Sequence, residues 1–594
     1  MTTAQPLQIP FTEFYETGNF IHSQTTKLPK FQENTQNIWN FQKNDVPLRV
    51  NKQNSQKISH MPTLTWIGKE KVVNHHLDVP FRVLDRQYTF GDTPDSGNKI
   101  IHGDNLEALK ALLPEYEGKI KCIYIDPPYN TGNEKWVYND NVNDPHIRQW
   151  LGKVVGSELD DLTRHDKWLC MMYPRLVLLK KLLSSDGVLC ISIDEHEIEN
   201  LLSICNELFG KKNVDSIIWQ KQDSKIDRNT NAKIINRYKS IHENIVICYS
   251  NKNATIFNKM MKLPDWKGVQ KNVDNDPRGN WQSGIISFEE GHAKENKNSQ
   301  NYYTIKSPSG IEWTRHWFFL KHEMDTLISD GRIYFGKSPE FSNVPRLKTF
   351  ENEEKEYYLD SIMRGVGTSS SAKDEINIIL GNRDLFDTPK PTKLIMELVR
   401  CIAGKDSIIL DSFAGSGTTA HAVLNLNKQD GGNRKFILVE LGDYAENITA
   451  ERVRRVISGY GDGKNATEGT GGSFDFYELG DTLFDPKTEN LNDNADTEQI
   501  RQYVWYSETH APYIAPSEDD HPYWLGTDQQ TNYYFYYIKG EETCLSWDFL
   551  RTLTPERDKA EMYIIYADRC VLTENEMQKL NIRFKKIPRD IKRV

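Results

Sequence analysis

The chain reads as an α/β protein built on a doubly wound, mostly parallel sheet. Three observations predict this. KIKCIYI (119–125), GVLCISI (187–193), ENIVICY (243–249), SIIL (407–410) and KFILVEL (435–441) are short apolar runs bounded by Gly, Asp or Lys. Such runs mark strands buried on both faces of a sheet. Helical patterns lie between them: NLEALKALL after Asp104, YPRLVLLKKLL from Tyr173, EIENLLSICNELF from Glu197 and PTKLIMELVRCIA from Pro391. Alternation of this kind builds βαβ units. It stops between about 251 and 375, where aromatics, glycines and charges mix without period.

Taken in order, residues 1–60 are rich in Gln, Asn, Thr and Lys and read as an irregular arm. Residues 61–250 carry the first run of βα units, with Asp104 placed to cap a helix. The aperiodic stretch 251–375 reads as an inserted domain. The alternation resumes over 376–462, where Pro391 suits a first helical position. A glycine-rich run, GYGDGKNATEGTGG, predicts a boundary before a small C-terminal α+β domain at 471–594.

Composition limits the function classes. The 594 residues hold 74 basic and 84 acidic side chains, net −10, with 38% apolar and 27% charged residues. Neither a membrane protein nor a disordered chain fits that balance. The N-terminus lacks the basic-then-apolar signal pattern, and no run of about 18 apolar residues occurs, so a cytoplasmic protein is expected. The eight cysteines form no CxxC pair and no metal-ligand spacing is visible, so no metal is expected. Charge is uneven. Residues 216–275 carry 11 basic side chains (Lys221 to Lys271) against 5 acids, whereas 471–530 carry 2 against 13. The basic stretch suits phosphate contacts, with Trp266, Trp281, Trp313 and Trp317 as aromatic surface nearby. The acidic stretch should be repelled by nucleic acid and suits a protein contact.

Two motifs carry chemistry. The strand KIKCIYI runs into Asp126-Pro127-Pro128-Tyr129, at the strand end where open α/β sheets bind ligands. The prolines stiffen the turn and remove N–H donors. A carboxylate, outward carbonyls and an aromatic face then suit a flat substrate bearing an amine. Accepting the amine's N–H bonds favours a pyramidal nitrogen with a free lone pair, while the ring holds the base by stacking. The bland alternative is a turn that merely ends a strand.

The second motif follows SIIL: Asp411-Ser412-Phe413-Ala414-Gly415-Ser416-Gly417-Thr418-Thr419, then a helix. A strand, a glycine turn and a helix N-terminus cradle a nucleotide-type ligand. The third glycine of a dinucleotide fingerprint is missing, and no P-loop is present. Glu440 stands 23 positions after Gly417, at the next strand's end, where an acid takes ribose hydroxyls.

Together DPPY and FAGSG resemble the amino-methyltransferases that act on DNA, in their permuted beta class, with the target-recognition domain in the insert. The resemblance sharpens in IIHGDNLEALKALLPEYEGKIKCIYIDPPYNTGNEKWVYNDN, HDKWLCMMYPRLVLLKKLLSSDGVLCISIDE, FDTPKPTKLIMELVR and FKKIPRDI, which look like the modification (Mod) subunit of Type III restriction–modification systems. It implies a Rossmann-like fold that binds S-adenosyl-L-methionine and methylates adenine N6 in an asymmetric double-stranded DNA site after flipping the base. It also implies a homodimer and a helicase–nuclease (Res) partner. Asp126, Pro127, Pro128 and Tyr129 take the catalytic motif; Asp411, Phe413, Ala414, Gly415, Ser416, Gly417 and Thr418 the cofactor loop; Glu440 the ribose. Asp104 and Lys390 match segments lining the cofactor pocket, although Asp104 could be only a helix cap and Lys390 only a solvated charge. The competing readings are a standalone DNA adenine or cytosine-N4 methyltransferase, a protein or RNA methyltransferase, and a non-enzymatic DNA-binding module.

Overall fold

The computed structural model describes residues 63–591 apart from 132–160, 224–239, 263–271, 464–465, 486, 489, 512 and 554–559. The arm expected at 1–60 lies outside the described residues. Ten strands form the central sheet, in the order Arg82–Phe90, Phe474–Thr482, Lys99–His102, Lys435–Glu440, Ile408–Asp411, Ile120–Ile125, Leu183–Ile193, His242–Tyr249, Val214–Gln220 and Ile362–Met363. Arg82–Phe90 and His242–Tyr249 run against the other eight. The sheet is therefore mixed and mostly parallel, as expected.

Alternate side chains of one strand feed opposite faces. Ile123 and Ile125 pack against helices Asn105–Tyr116, Asp161–Leu182 and Ile198–Phe209. Cys122 and Tyr124 pack against Thr392–Ile402, Thr418–Asp430 and Glu451–Ser458. Burial of both faces explains the unbroken apolar runs in the sequence. Chain order matters more for the site. Ile120–Ile125 and Ile408–Asp411 are parallel neighbours, with Ile409 opposite Cys122 and Leu410 opposite Ile123. From Ile120–Ile125 the chain passes to Leu183–Ile193 on one side, and from Ile408–Asp411 to Lys435–Glu440 on the other. The crevice between them is the topological switch point, the expected ligand site of such a sheet.

Two domain boundaries differ from the sequence reading. Strand Phe474–Thr482, assigned to the C-terminal domain, lies inside the main sheet, antiparallel to Arg82–Phe90 and parallel to Lys99–His102. Helix Thr497–Thr509 follows it; Tyr506 enters the main core and its hydroxyl meets Glu117. The glycine-rich run thus lies within the fold, and its described part carries the short antiparallel pair Gly459–Tyr460 and Thr467–Glu468; no composition signal marks a strand that returns to a distant sheet. The remainder of the C-terminal region does form its own sheet, Trp524–Asp528, Thr531–Phe535, Met562–Ala567 and Ile582–Lys586. The insert is also shorter than 251–375, because Ile362–Met363 rejoins the main sheet beside Val214–Gln220. Its stem is the pairing of Met260–Lys262 with Lys355–Tyr357. Beyond that stem it has a separate core of Ile286, Ile305, Trp317, Met324, Ile333 and Phe335. Among the described residues no helix is long and apolar enough to cross a membrane.

Candidate active site

Asp126 begins the turn that leaves its strand. Tyr129 folds back over the two prolines, and its hydroxyl donates to Asp126 Oδ1 at 2.8 Å. The Pro128 carbonyl accepts from the Nε1 of the fully buried Trp168 at 2.7 Å, which anchors the turn on helix Asp161–Leu182. Asn130 then adopts φ +60°, a left-handed conformation that Asn tolerates better than most residues. Its Nδ2 donates to the buried Glu197, which also meets His165 Nδ1 at 2.6 Å and accepts from Asn200 Nδ2 at 2.8 Å. The motif is fixed at both ends before any ligand arrives.

The other oxygen of Asp126, Oδ2, accepts from Lys390 Nζ at 2.5 Å. Glu243, at the start of the reversed strand His242–Tyr249, completes the group. Its Oε2 lies 2.9 Å from the same Tyr129 hydroxyl, so the two carboxylates share that one proton, and 3.7 Å from Lys390 Nζ; its Oε1 accepts from Lys221 at 3.3 Å. Burial pushes the Asp126 carboxyl above its ordinary range; Lys390 draws it down and Glu243 pushes it further up. Burial also acts against the charge on Glu243, but Lys390 and Lys221 outweigh it and hold that carboxyl low. The Lys390 ammonium loses hydration, yet its two carboxylate neighbours keep it charged. Two carboxylates and two ammonium groups thus balance in a buried pocket, where unpaired charges would be costly.

The glycine loop is organised from within. Asp411 Oδ1 accepts from Phe413 N at 3.1 Å and Oδ2 from Thr419 Oγ1 at 2.5 Å, closing the turn onto its helix. Gly415 and Gly417 have φ of +52° and +79°, where a side chain would be strained. Glu440, 2% exposed, accepts from Gly415 N at 2.7 Å and Gly442 N at 2.9 Å. Phe413 and Ala414 are buried, and Ala414 N donates to Val439 O at 3.1 Å. The Ser416 and Thr418 hydroxyls are turned to the buried Arg452, at 3.0 and 2.9 Å. Those two side chains hold the loop from behind. A Cβ on Gly415 would stand 3.1 Å from Phe386 Cζ, and the Phe386 ring meets Tyr444 edge-on. Beside Glu440 the loop is therefore lined by aromatic rings.

Asp104 and Lys390 fall in different places. Asp104 caps its helix, accepting from Leu106 N at 2.8 Å, and pairs with the buried Arg175 at 3.2 Å. Its neighbour Asn105 reaches the cofactor loop, donating to Ser412 O at 2.9 Å. Lys390 is no solvated charge; its ammonium sits on Asp126, while its carbonyl accepts from Thr418 Oγ1 at 3.3 Å. It joins the two motifs. Sequence reasoning missed Glu243, Glu197, Trp168, Arg452 and Phe386. Only Glu243 left a signal, an acid at the head of an otherwise apolar strand.

The expected DNA-binding stretch is corrected in part. Of its basic residues, Lys225 to Lys239, Lys267 and Lys271 lie outside the described residues, as does Trp266. Lys221, Lys252 and Lys259 each pair with an acid: Glu243, Asp215 and Glu356. Trp281 and Trp317 are buried in the insert and do not form a surface. Among the described residues no group of three or more His, Cys, Asp or Glu side chains is placed to hold a metal.

The loop suits a nucleoside-type cofactor on the structure's own terms: bare backbone at Gly415 and Gly417, a buried acid one strand away, and a buried Ser412 Oγ without a partner among the described residues. Comparison with known proteins agrees. The Mod subunit of the Type III restriction–modification enzyme StyLTI of Salmonella typhimurium is 32% identical over 370 residues, covering 61% of this chain and 55% of that protein. The EcoPI Mod subunit of Escherichia phage P1 is 31% identical over 426 residues, 64% of this chain and 63% of that one. The Type II methyltransferase M.KpnI of Klebsiella pneumoniae is 30% identical over 387 residues, 60% of this chain and 84% of that one. The chain thus spans about 55 to 63% of the length of those two Mod relatives. A family model described as DNA methylase matches residues 120–451, which include both motifs and the insert between them. With its two motifs on adjacent strands and that match across more than half its length, this chain belongs to the N6/N4 DNA methylase family.

Proposed function

We propose that the chain transfers a methyl group from S-adenosyl-L-methionine to adenine N6 in double-stranded DNA, as the modification and recognition subunit of a Type III restriction–modification system. The observation that carries this is the pairing of Ile120–Ile125 with Ile408–Asp411, which places DPPY and the glycine loop side by side although 284 positions separate Pro127 from Asp411.

Glu440 and the Gly415–Gly417 turn would hold the cofactor, with Phe386 and Tyr444 beside them. The bound cofactor supplies an electrophilic methyl group. The target base leaves the duplex, since its amine is otherwise paired within the stack. Tyr129 stacks on it. Asp126 accepts one N–H of the amine; because Pro128 is held by Trp168, the carbonyl that accepts the second N–H falls to Pro127. Rate enhancement comes from orientation and from acceptors already aimed where positive charge develops on nitrogen. A helicase–nuclease partner is part of this proposal, supported by the likeness to Type III Mod subunits, and a homodimer is proposed with it.

The test is incubation with tritiated cofactor and unmethylated DNA, followed by nucleoside analysis and strand-resolved sequencing. N6-methyladenine on one strand of an asymmetric site is the expected product; methylcytosine, or marks on both strands of a palindrome, would contradict it. M.KpnI, of which the chain matches 84%, favours a second reading as a methyltransferase without a nuclease partner. Co-purification with the product of a neighbouring helicase gene separates the two.

A further inference from the structure

Lys390 is 7% exposed, so its ammonium is largely cut off from bulk water. It lies 2.5 Å from Asp126 Oδ2 and over the Tyr129 ring, 5.0 Å from the centroid. A cation therefore occupies both surfaces that the target base needs, the carboxylate and the ring. The base must displace it. A buried ammonium that loses its partner is strongly disfavoured, so Lys390 needs another acceptor inside the pocket. Glu243 Oε2 is 3.7 Å from Nζ, about 1 Å beyond a good charge-assisted hydrogen bond. Lys221 occupies the far oxygen of Glu243 and leaves Oε2 facing Lys390. The Tyr129 hydroxyl lies 2.8 and 2.9 Å from the two carboxylates, which keeps them in one hydrogen-bonded unit.

We propose that Lys390 and Glu243 form an exchangeable clamp on Asp126: the arriving amine takes Asp126, and the Lys390 ammonium passes to Glu243. The proposal rests on the reading of DPPY as the site of amine methylation. No bond to hydrogen breaks in the exchange. Lys390 stays protonated, and two carboxylates face two ammonium groups before and after. Both residues are positioning residues. Lys390 keeps Asp126 ionised until the base arrives, and Glu243 gives the ammonium its second place.

The groups facing Asp126 are Lys390, Glu243, Tyr129, Tyr124 and Asp411, and Lys390 is the cation among them. Removing Lys390 leaves burial and Glu243 to raise the Asp126 carboxyl, so the acid limb of the pH–rate profile moves up. Removing the Glu243 charge takes away one of the influences that raise it, so the limb stays or moves down. Only removal of Lys390 moves the limb up, a difference between the two variants that loss of packing would not produce.

The experiment uses the full chain, tritiated S-adenosyl-L-methionine and unmethylated phage DNA. Glu243→Gln should lower kcat by about tenfold or more, with the cofactor KM within about twofold. Lys390→Met should move the acid limb up by about one pH unit. Lys390→Arg keeps the charge and should return the limb to the wild-type position, which separates the effect from misfolding. Glu243→Gln with more than half the wild-type kcat would overturn the clamp. So would Lys390 variants that raise only the cofactor KM, since that places Lys390 in the cofactor pocket. Wild-type protein that transfers no methyl group to DNA would overturn the methylation reading itself, and the clamp with it.

Discussion

Replacing Glu440 by Ala tests whether the cofactor cradle is where the structure puts it. The carboxylate accepts from Gly415 N at 2.7 Å and Gly442 N at 2.9 Å in a site that is 2% exposed. Leaving two partly buried N–H groups unsatisfied costs at most about 1–3 kcal/mol each. Burial raises the Glu440 carboxyl, so the native state carries a desolvation penalty that Ala escapes. The net local destabilisation should then lie near the low end, about 2–4 kcal/mol. Ribose hydrogen bonds to a charged acceptor add about 1.5–3 kcal/mol to cofactor binding. The dissociation constant should therefore rise by roughly tenfold to 150-fold, at about 1.4 kcal/mol per decade. Loop disorder adds to that. Glu440→Gln keeps one acceptor oxygen and should lose less. Calorimetric titration of S-adenosyl-L-methionine reads the affinity, and hydrogen exchange over 411–419 reads the loop. A Glu440→Ala protein whose affinity stays within about threefold of wild type would refute the assignment.

Asp126→Ala should abolish methyl transfer while cofactor titration and DNA shift assays remain near wild type; more than a tenth of activity retained would remove Asp126 from its role. Gly415→Asp should weaken cofactor binding, because its side chain meets Phe386 at a turn with φ +52°; unchanged titration would contradict this. Burial pushes the Asp411 carboxyl from 3.8 up to about 7. The native state then binds a proton that the unfolded chain releases near pH 4, so stability falls as pH rises from about 4 to about 7. That span is worth about 4 kcal/mol at most. Denaturant midpoints of Asp411→Asn should show a flatter pH dependence than wild type across the same range, and equal slopes would be evidence against it. Truncation after residue 465 removes the sheet strand Phe474–Thr482 and Tyr506 of the main core, so it should yield insoluble protein. A soluble truncated chain that binds cofactor would show that strand to be dispensable.

The amino-acid order alone determined the fold class and the two motifs. Strands buried on both faces must be apolar throughout, and a rigid DPPY turn or a glycine loop is specified by residues within one short segment. The ends of Ile120–Ile125 and Ile408–Asp411 were readable because an apolar run gives way there to Asp followed by Pro or Gly-rich turn residues. What lies between segments was not. Lys390 read as a cofactor or surface residue because nothing in TPKP reveals that its ammonium reaches Asp126, 264 positions away. Glu243 gained its place only when a reversed strand brought its end to the switch point. Arg452 gained its place when helix Glu451–Ser458 packed behind Ser416 and Thr418. The return of Phe474–Thr482 to the sheet between Arg82–Phe90 and Lys99–His102 likewise depends on backbone hydrogen bonds that any extended segment can make. Short-range chemistry is written in local spacing. The charge balance of a buried pocket is a sum over groups from distant segments, and only the packed structure decides which groups enter it.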